Sequence, residues 1–210
     1  DYTYDIFPSA ILKRINVVLA VLLAFAAGRD GLGKKDGRRM KAALVSACLG
    51  EALFALRYMP AGVMMFAICQ TLLIIRNGKG LGVRLWNTGG RQRMVLASAG
   101  GMLLCVLAVF PALAGMLSVS GGVFIVVYLY GILLCISLWT AIASLVLSLL
   151  PEINSKMAAG GMVCFFLCDA LVGLDAALEP GLPWLLANSF IWIFYIPALV
   201  LLALSCYRYN

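Results

Sequence analysis

Residues 94–151 read MVLASAGGMLLCVLAVFPALAGMLSVSGGVFIVVYLYGILLCISLWTAIASLVLSLLP and contain no Asp, Glu, Lys or Arg. A helix needs about 20 mostly apolar residues to cross a bilayer, so this stretch is too long for one crossing. Ser120-Gly121-Gly122 divides it near the middle, and this pattern is typical of a turn. The stretch therefore predicts two consecutive transmembrane helices.

The whole chain has the same character. Of its 210 residues, 64% are hydrophobic and 12% are charged, and the mean hydropathy is +1.03. A soluble domain is usually about half apolar and about a quarter charged. The composition predicts an all-α, polytopic transmembrane helix bundle, with residues 1–210 forming a single transmembrane domain.

Turn-forming residues divide the chain into seven predicted spans, with eight possible. The apolar stretch after Lys13 and Arg14 is interpreted as the first span, because no small-residue cleavage site followed by a soluble domain marks it as a signal peptide. The long fifth span could be strongly tilted or broken near Tyr130-Gly131. The predicted spans are 8–27, 41–57, 60–75, 94–115, 122–148, 157–175 and 183–206.

The basic residues predict an orientation. Of the 16 Lys and Arg residues, 13 fall on one side of these spans, mostly in the segments 29–41 and 76–93. By the positive-inside rule, the N-terminus lies outside and the C-terminus is cytoplasmic. We expect an integral membrane protein of the bacterial cytoplasmic (inner) membrane, with both basic segments acting as short connectors.

The basic segments do not indicate a nucleotide or nucleic-acid partner. RNGKGLG (76–82) has the glycines and the lysine of a phosphate-binding loop, but it lacks the full P-loop pattern. Contact with anionic lipid head groups explains it more simply. A nucleic-acid-binding face would interleave basic and aromatic residues, and Trp86 is the sole aromatic residue in these segments. We therefore expect no nucleic-acid partner.

Two acids interrupt apolar segments. Glu51 lies in SACLGEALFAL (46–56) and Asp169 in GGMVCFFLCDALVGL (160–174). A charged residue at the bilayer centre costs about 2.5–3.5 kcal/mol on insertion scales, and such residues usually mark a functional path. Both acids are expected roughly 15–20 Å from the same membrane surface, counted at 1.5 Å per residue. Two facing carboxylates would share a proton and could act as an acid–base pair.

Structural roles for the two acids remain open. Either acid could be a neutral packing group between helices, or half of a buried Lys–Glu pair. Lys13 or Arg14 could hold an ionised partner, or extend to the membrane surface. Further polar groups predicted at membrane depth are the hydroxyls of three tyrosines and one amide, namely Tyr128, Tyr130, Tyr195 and Gln70.

The residue types limit the chemistry. The chain has no histidine, which excludes His-ligated zinc sites, Ser-His-Asp triads and a histidine general base. Its seven cysteines lie in or beside apolar segments without paired loop spacing, so we interpret them as core thiols. We expect no metal and no cofactor.

Several segments together resemble the lysoplasmalogenase (YhhN-type) family of integral membrane proteins. SACLGEALFAL followed by GVMMFAICQTLLI (62–74) is similar to the family's small-Leu-Leu-Gly-Asp helix and the Gly-x-x-x-Phe-x-x-x-His helix after it. GGMVCFFLCDALVGL looks like its later Gly-Ala-x-x-Phe-x-x-Ser-Asp helix. SFIWIFYIPALVLLAL (189–204) is similar to its final Tyr-containing helix, and LKRINVVLAVLLAFAA (12–27) places Lys13 on the family's lysine.

The resemblance implies an eight-helix membrane hydrolase that cleaves the vinyl ether bond of lysoplasmalogens to a fatty aldehyde and a glycerophospho-base. It implies Glu51 and Asp169 as catalytic residues. The expected substrate-binding residues are Lys13, Gln70, Tyr128 and Tyr195. The chain departs from the family pattern at three positions, since Glu51 replaces Asp, Gln70 replaces the usual His, and Leu199 replaces a Gln or His.

Two other functions remain open. A non-catalytic lipid- or solute-binding protein, or a proton-coupled transporter, could use the same acids. A small glycerol-phosphate acyltransferase would need a Ser-Gly-Asn-Gly-type loop and a loop histidine, and this chain has neither. In each case the expected partner is a lipid, a lysophospholipid or another small solute, and the oligomeric state is left open.

Overall fold

The computed structural model of the protein describes residues 7–27, 30–116, 121–175, 178–179 and 181–209, without the side chains of residues 7–13, 110, 112–116 and 121–124. This part of the chain is all-α and contains no β-strand. Its eight helices are α1 (Phe7–Ala26), α2 (Lys34–Ala55), α3 (Met59–Asn77), α4 (Leu81–Trp86), α5 (Gly90–Met116), α6 (Gly121–Val146), α7 (Glu152–Asp175) and α8 (Leu182–Leu204).

Seven of these helices correspond to the seven predicted spans, but α2 starts earlier than expected. It begins at Lys34, so the segment 29–41 is mostly helix and its interpretation as a connector was wrong. Lys and Arg are good helix formers, so the backbone stays helical beyond the apolar residues. Apolar content located the buried part of α2 and missed its polar first turns.

The segment 76–93 also differs from a simple connector, because it contains α4. A helix of six residues is about 9 Å long, whereas the hydrocarbon core is about 30 Å thick. Helix α4 is therefore too short to cross the membrane and does not add an eighth span. Helix α6 continues without interruption through Tyr130-Gly131, so of the two possibilities for this long span the break does not occur.

In the described part of the chain, five helices are long and apolar enough to cross a membrane, and the chain is an integral membrane protein. These segments are Met59–Asn77, Gly90–Val109, Ile125–Val146, Glu152–Asp175 and Leu182–Leu204. The described apolar part of α1, Arg14–Ala26, is shorter.

Six helices close into a ring. Helix α1 packs against α2 and α8, α2 against α3, α3 against α6, α6 against α7, and α7 against α8. Helix α5 packs on the outside, chiefly against α6. The main apolar core combines buried side chains from these helices, including Leu44, Phe66, Phe165 and Leu202. The ring brings α2 and α7, which carry the two acids, around one interior.

Helices α2 and α3 approach closely just beside Glu51. A Cβ atom added to Gly50 would lie 2.7 Å from Cε2 of Phe66 and 3.2 Å from the carbonyl oxygen of Gly62. Gly62 is equally constrained by Phe54. These two glycines therefore allow α2 to lie against α3, and their contact sets the position of Glu51 in the ring.

One end of the bundle is held by a buried ion pair; we refer to the end that carries Asp36, Arg76 and Ser205 as the basic end. Arg76 is 1% exposed and bonds Asp36 through two nitrogens, at 2.8 and 3.1 Å. It also donates to the hydroxyl and the carbonyl oxygen of Ser205, at 2.9 and 2.7 Å. Arg76 was predicted to contact lipid head groups as part of the segment 76–82, and that prediction was wrong for this residue.

The chain after α8 is fixed at the same end. The amide of Asn154 donates to the carbonyl oxygens of Ser205 and Tyr207, at 2.9 and 2.6 Å. The hydroxyl of Tyr207 donates to the carbonyl oxygen of Leu23 at 2.6 Å. The basic end therefore joins α1, α2, α3, α7 and the residues after α8.

Candidate active site

Polar side chains from five helices of the ring meet in one cluster, which we call the acid site. Helix α2 contributes Glu51, α3 Gln70, α6 Tyr130, α7 Asp169 and α8 Tyr195, and the exposed Arg14 of α1 lies near enough for its charge to act on Glu51. These residues are distant in sequence, and only closure of the ring brings them together. The two predicted carboxylates are among them.

Asp169 is held by Tyr130. The Tyr130 hydroxyl donates a hydrogen bond of 2.5 Å to Oδ2 of Asp169. Gln70 lies beside Tyr130 and is completely buried. Neither its amide nitrogen nor its amide oxygen completes a hydrogen bond with the described residues. On this side of the acid site, the carboxylate of Asp169 is thus fixed, and the amide of Gln70 has unused hydrogen-bonding groups.

Glu51 faces a second tyrosine and a cation. The hydroxyl of Tyr195 is near enough to interact with the Glu51 carboxylate, but it does not reach the geometry of a completed hydrogen bond. Arg14 is near enough for its charge to act on Glu51. Arg14 itself lies on the surface of α1, in a shallow apolar groove with Ile15, Val18 and Leu19. The Glu51 side of the site therefore carries a positive charge close to the lipid-facing surface.

Glu51 and Asp169 are close enough for their charges to interact. Both are partly buried, and the thiols of Cys69 and Cys168 lie next to them inside the ring. Two carboxylates in one enclosure can divide the roles of proton donor and base. Within the described residues, no three His, Cys, Asp or Glu side chains are grouped as metal ligands.

Aromatic side chains form the wall of the acid site. Tyr195 packs edge-on against Phe165 and Trp192, with ring centroids 5.8 and 5.7 Å apart. Phe66 contacts the rings of Phe54 at 5.5 Å and Phe165 at 6.2 Å. Rings of this kind exclude bulk water, which strengthens the electrostatic interactions inside the site.

The other predicted residues have different outcomes. The side chain of Lys13 lies outside the described residues. Tyr128 is partly buried on α6, two residues before Tyr130 and so roughly 200° away around the helix axis. It therefore points away from the face that carries Tyr130, and its role in substrate binding stays a prediction.

Sequence analysis missed how Tyr130 is used and missed the aromatic wall. Tyr130 was a candidate hydroxyl without an assigned partner, because helix rotation decides what it faces. The wall residues resemble ordinary apolar core residues in sequence. Phe66 and Phe165 each lie four residues before a site residue, Gln70 and Asp169, so helical spacing was a signal that could have placed them on the same face.

Comparison with known proteins identifies the family of the chain. No curated protein and no solved structure matches the chain. The sequence model of the YhhN family matches residues 9–206, which include every helix that contributes to the acid site. The match covers nearly the whole chain, and the protein therefore belongs to the YhhN family.

Proposed function

We propose that the protein is a membrane-embedded lipid hydrolase, resembling lysoplasmalogenases, that cleaves the vinyl ether bond of a lysoplasmalogen-type lysophospholipid. The products are a fatty aldehyde and a glycerophospho-base. The observation that carries this proposal is that the partly buried Glu51 and Asp169 lie close enough for their charges to interact, with Asp169 held by the hydrogen bond from Tyr130. Family membership and the position of the cluster inside a membrane bundle support the same function.

Asp169 acts as the acid in this proposal. Vinyl ether hydrolysis begins when a proton is added to the β-carbon, using the electron pair of the double bond and leaving an oxocarbenium ion. Because Oδ2 of Asp169 accepts the hydrogen bond from Tyr130, Oδ1 is left to carry and deliver the proton. Proton transfer from a positioned carboxylic acid contributes typically about 10²–10⁴-fold to a rate.

Glu51 acts as the carboxylate that stabilises the cation and activates water. The positive charge of Arg14 nearby suits an ionised Glu51. Water adds to the cationic carbon and gives one proton to Glu51. The product of this addition is a hemiacetal. The hemiacetal then loses its hydroxyl proton and the glycerol oxygen gains one as the bond between carbon and that oxygen breaks, which releases the aldehyde and the alcohol. The proton on Glu51 returns to Asp169. The sum consumes one water, and the division of roles is that of the two carboxylates in glycosidases.

Substrate binding is assigned to polar groups that have unused bonding capacity. The amide of Gln70 and the hydroxyl of Tyr195 are buried beside the acids without completed hydrogen bonds. Buried polar groups of this kind are costly unless they are paired, which suits them to bind polar atoms of a ligand. Lys13 and Tyr128 are proposed to contact the glycerophosphate portion, and the exposed basic residues of the segment 76–93 are proposed to meet anionic lipid head groups, with the protein placed in the bacterial inner membrane.

The test compares three lysolipids that differ only in the bond to the chain. The purified protein in detergent is given a vinyl ether, a saturated alkyl ether and an acyl ester, each with the same head group. The proposal predicts release of a fatty aldehyde from the vinyl ether alone. Release of a fatty acid from the ester at a comparable rate, or no product from any of them, would contradict it.

The second candidate function is proton-coupled transport or lipid binding without catalysis. The departures at Gln70 and Leu199 favour it. At Gln70 an amide replaces the His that is usual in the family, and at Leu199 an alkyl group replaces the usual Gln or His. Leu199 is 2% exposed, so an apolar side chain occupies that position inside the bundle. This function predicts pH-dependent binding or uptake of a lysolipid without any product.

A further inference from the structure

Unpaired polar atoms are confined to one part of the bundle. In the described part of the chain, six buried side-chain nitrogen or oxygen atoms have no hydrogen-bond partner. Three belong to Gln70 and Tyr195 in the acid site. The other three are Nδ2 of Asn77, Oγ of Ser144 and Oδ1 of Asn154, whose side chains are completely buried. These three residues are on α3, α6 and α7, and each lies towards the basic end from the acid site.

Seven-residue spacing places polar groups along one seam between α6 and α7. Seven residues make almost two turns, so Tyr130, Ser137 and Ser144 share one face of α6. Contacts fix the register, since Tyr130 bonds Asp169 and the Ser137 hydroxyl lies 3.7 Å from Sδ of Met162. From the first contact to the second, the residue on α6 is seven positions later and the residue on α7 is seven positions earlier, so the two helices run in opposite directions.

The same register carries the seam to the basic end. It places Ser144 opposite Ser155, seven residues before Met162, and Ser155 is 1% exposed. At 1.5 Å per residue, Tyr130 and Ser144 are about 21 Å apart along α6. Buried hydroxyls therefore follow the seam from the middle of the bundle to its end.

Helix α3 adds amides to the same region. Gln70 and Asn77 are also seven residues apart and share a face. A Cβ atom on Gly78, next to Asn77, would lie 3.9 Å from the Thr140 side chain of α6. Oδ1 of Asn77 accepts a 3.4 Å hydrogen bond from Arg76. The polar seam thus runs from the acid site to the buried ion pair.

We propose that the buried polar side chains of α3, α6 and α7 between Asp169 and the Arg76–Asp36 ion pair form a hydrated column that carries water and protons between the acid site and the basic end. Leaving a buried polar atom unpaired is costly. Such atoms are usually hydrogen-bonded to a buried water molecule that has two or more polar partners. The column deepens the proposed function, because hydrolysis consumes one water per turnover. The ion pair forms its outer closure.

X-ray radiolytic labelling of the purified protein in detergent tests the column without any substrate. Hydroxyl radicals formed from water inside the protein oxidise the side chains next to it, and mass spectrometry locates the products. Met162 is the reporter and Met40 the reference. Both are 0% exposed and both belong to the apolar core, but Met162 touches a hydroxyl of the seam, that of Ser137. We expect the oxidation rate of Met162 to be at least about fivefold that of Met40, because Met162 lines the water column. Equal rates would overturn the proposal.

A matched pair of variants tests whether the oxidation of Met162 depends on water in the column. Ser137→Thr and Ser137→Val add the same volume beside Met162, but only Thr keeps a hydroxyl that can bond water. Oxidation of Met162 should stay near the parent rate in the Thr variant and fall several-fold in the Val variant. An unchanged rate in the Val variant would also overturn the proposal. If Met162 is labelled as expected and no lysolipid is hydrolysed, the column stands and the hydrolase proposal fails.

Discussion

Tyr130 donates a 2.5 Å hydrogen bond to Oδ2 of Asp169, from the first half of α6 to the last third of α7. The bond occupies one carboxylate oxygen, Oδ2, and the proposed mechanism uses the other, Oδ1, to carry the proton. It also joins the two helices at the level where Glu51, Gln70 and Tyr195 converge. The relationship explains how a short side chain such as Asp can be held in one orientation inside a bundle.

Tyr130→Phe tests this orienting role. We expect kcat for aldehyde release to fall by about 10- to 100-fold, because Asp169 becomes charged as it gives up its proton and the variant then lacks one hydrogen bond to that charged group. KM should change much less, because Tyr130 bonds the acid and not the lipid. The rate is measured by aldehyde release from a lysoplasmalogen.

Tyr58→Phe is the matched control for that change. Tyr58 is 63% exposed in the turn between α2 and α3, so the same hydroxyl is removed far from the acids. Its rate should equal the parent's. An equal loss in both variants would mean that Tyr130 has no special connection with Asp169.

The pH dependence of the rate distinguishes the two acids. With Asp169 as the protonated acid and Glu51 as the ionised carboxylate, kcat/KM should give a bell-shaped profile, falling at low pH as Glu51 gains a proton and at high pH as Asp169 loses one. In Glu51→Gln, the residual activity should lose its fall at low pH and keep the fall at high pH. Loss of the high-pH fall in this variant would assign the acid role to Glu51.

The close contact between α2 and α3 predicts a sensitive position next to Glu51. Gly50→Ala should lower both the melting temperature and the activity, because the new methyl group would meet the ring of Phe66 at 2.7 Å and force the helices apart. Thermal unfolding in detergent and aldehyde release measure the two effects.

Gly101→Ala is the control for that substitution. A Cβ atom on Gly101 meets nothing within 4 Å, so the change should be neutral or stabilise α5 by up to about 1 kcal/mol. A Gly50→Ala protein as stable and as active as the Gly101→Ala protein would contradict the account of how Glu51 is positioned.

The buried ion pair at the basic end predicts a large effect on stability. Asp36→Asn leaves the completely buried Arg76 guanidinium without its counter-charge, and breaking a buried pair in this way costs about 3–5 kcal/mol. The free energy of unfolding in detergent measures the loss. Glu152→Gln makes the same acid-to-amide change in the exposed Glu152–Lys156 pair and should leave the melting temperature unchanged. Equal effects of the two substitutions would show that burial of Arg76 adds nothing.

Much of the fold could be predicted from apolar length and turn residues. These signals located seven long helices, of which five in the described part of the chain are long and apolar enough to cross a membrane. They did not find the polar first turns of α2 or the short α4, since both lie outside the apolar segments. Nor did they show that Arg76 is buried, because a basic residue at the end of a span gives the same pattern whether it faces lipid, water or Asp36.

The acids of the candidate site could also be predicted, but their surroundings could not. Glu51 and Asp169 are conspicuous because apolar segments rarely contain a carboxylate. The partners of these acids depend on helix rotation and on which helices are neighbours in the ring. The seven-residue spacing of Tyr130, Ser137 and Ser144 was visible in the sequence, yet it gained meaning only when contacts fixed the register with α7.

The most direct test of the central claim, that Glu51 and Asp169 work as a catalytic pair, is aldehyde release from a lysoplasmalogen by the parent protein, Glu51→Gln and Asp169→Asn. Each protein must first show the parent's elution profile and melting temperature in detergent. The account predicts turnover by the parent and a loss of at least about 100-fold in each variant, as expected when a general acid or base is removed. Turnover in either variant within a few-fold of the parent, or a parent that releases no aldehyde between pH 5 and 8, would contradict it.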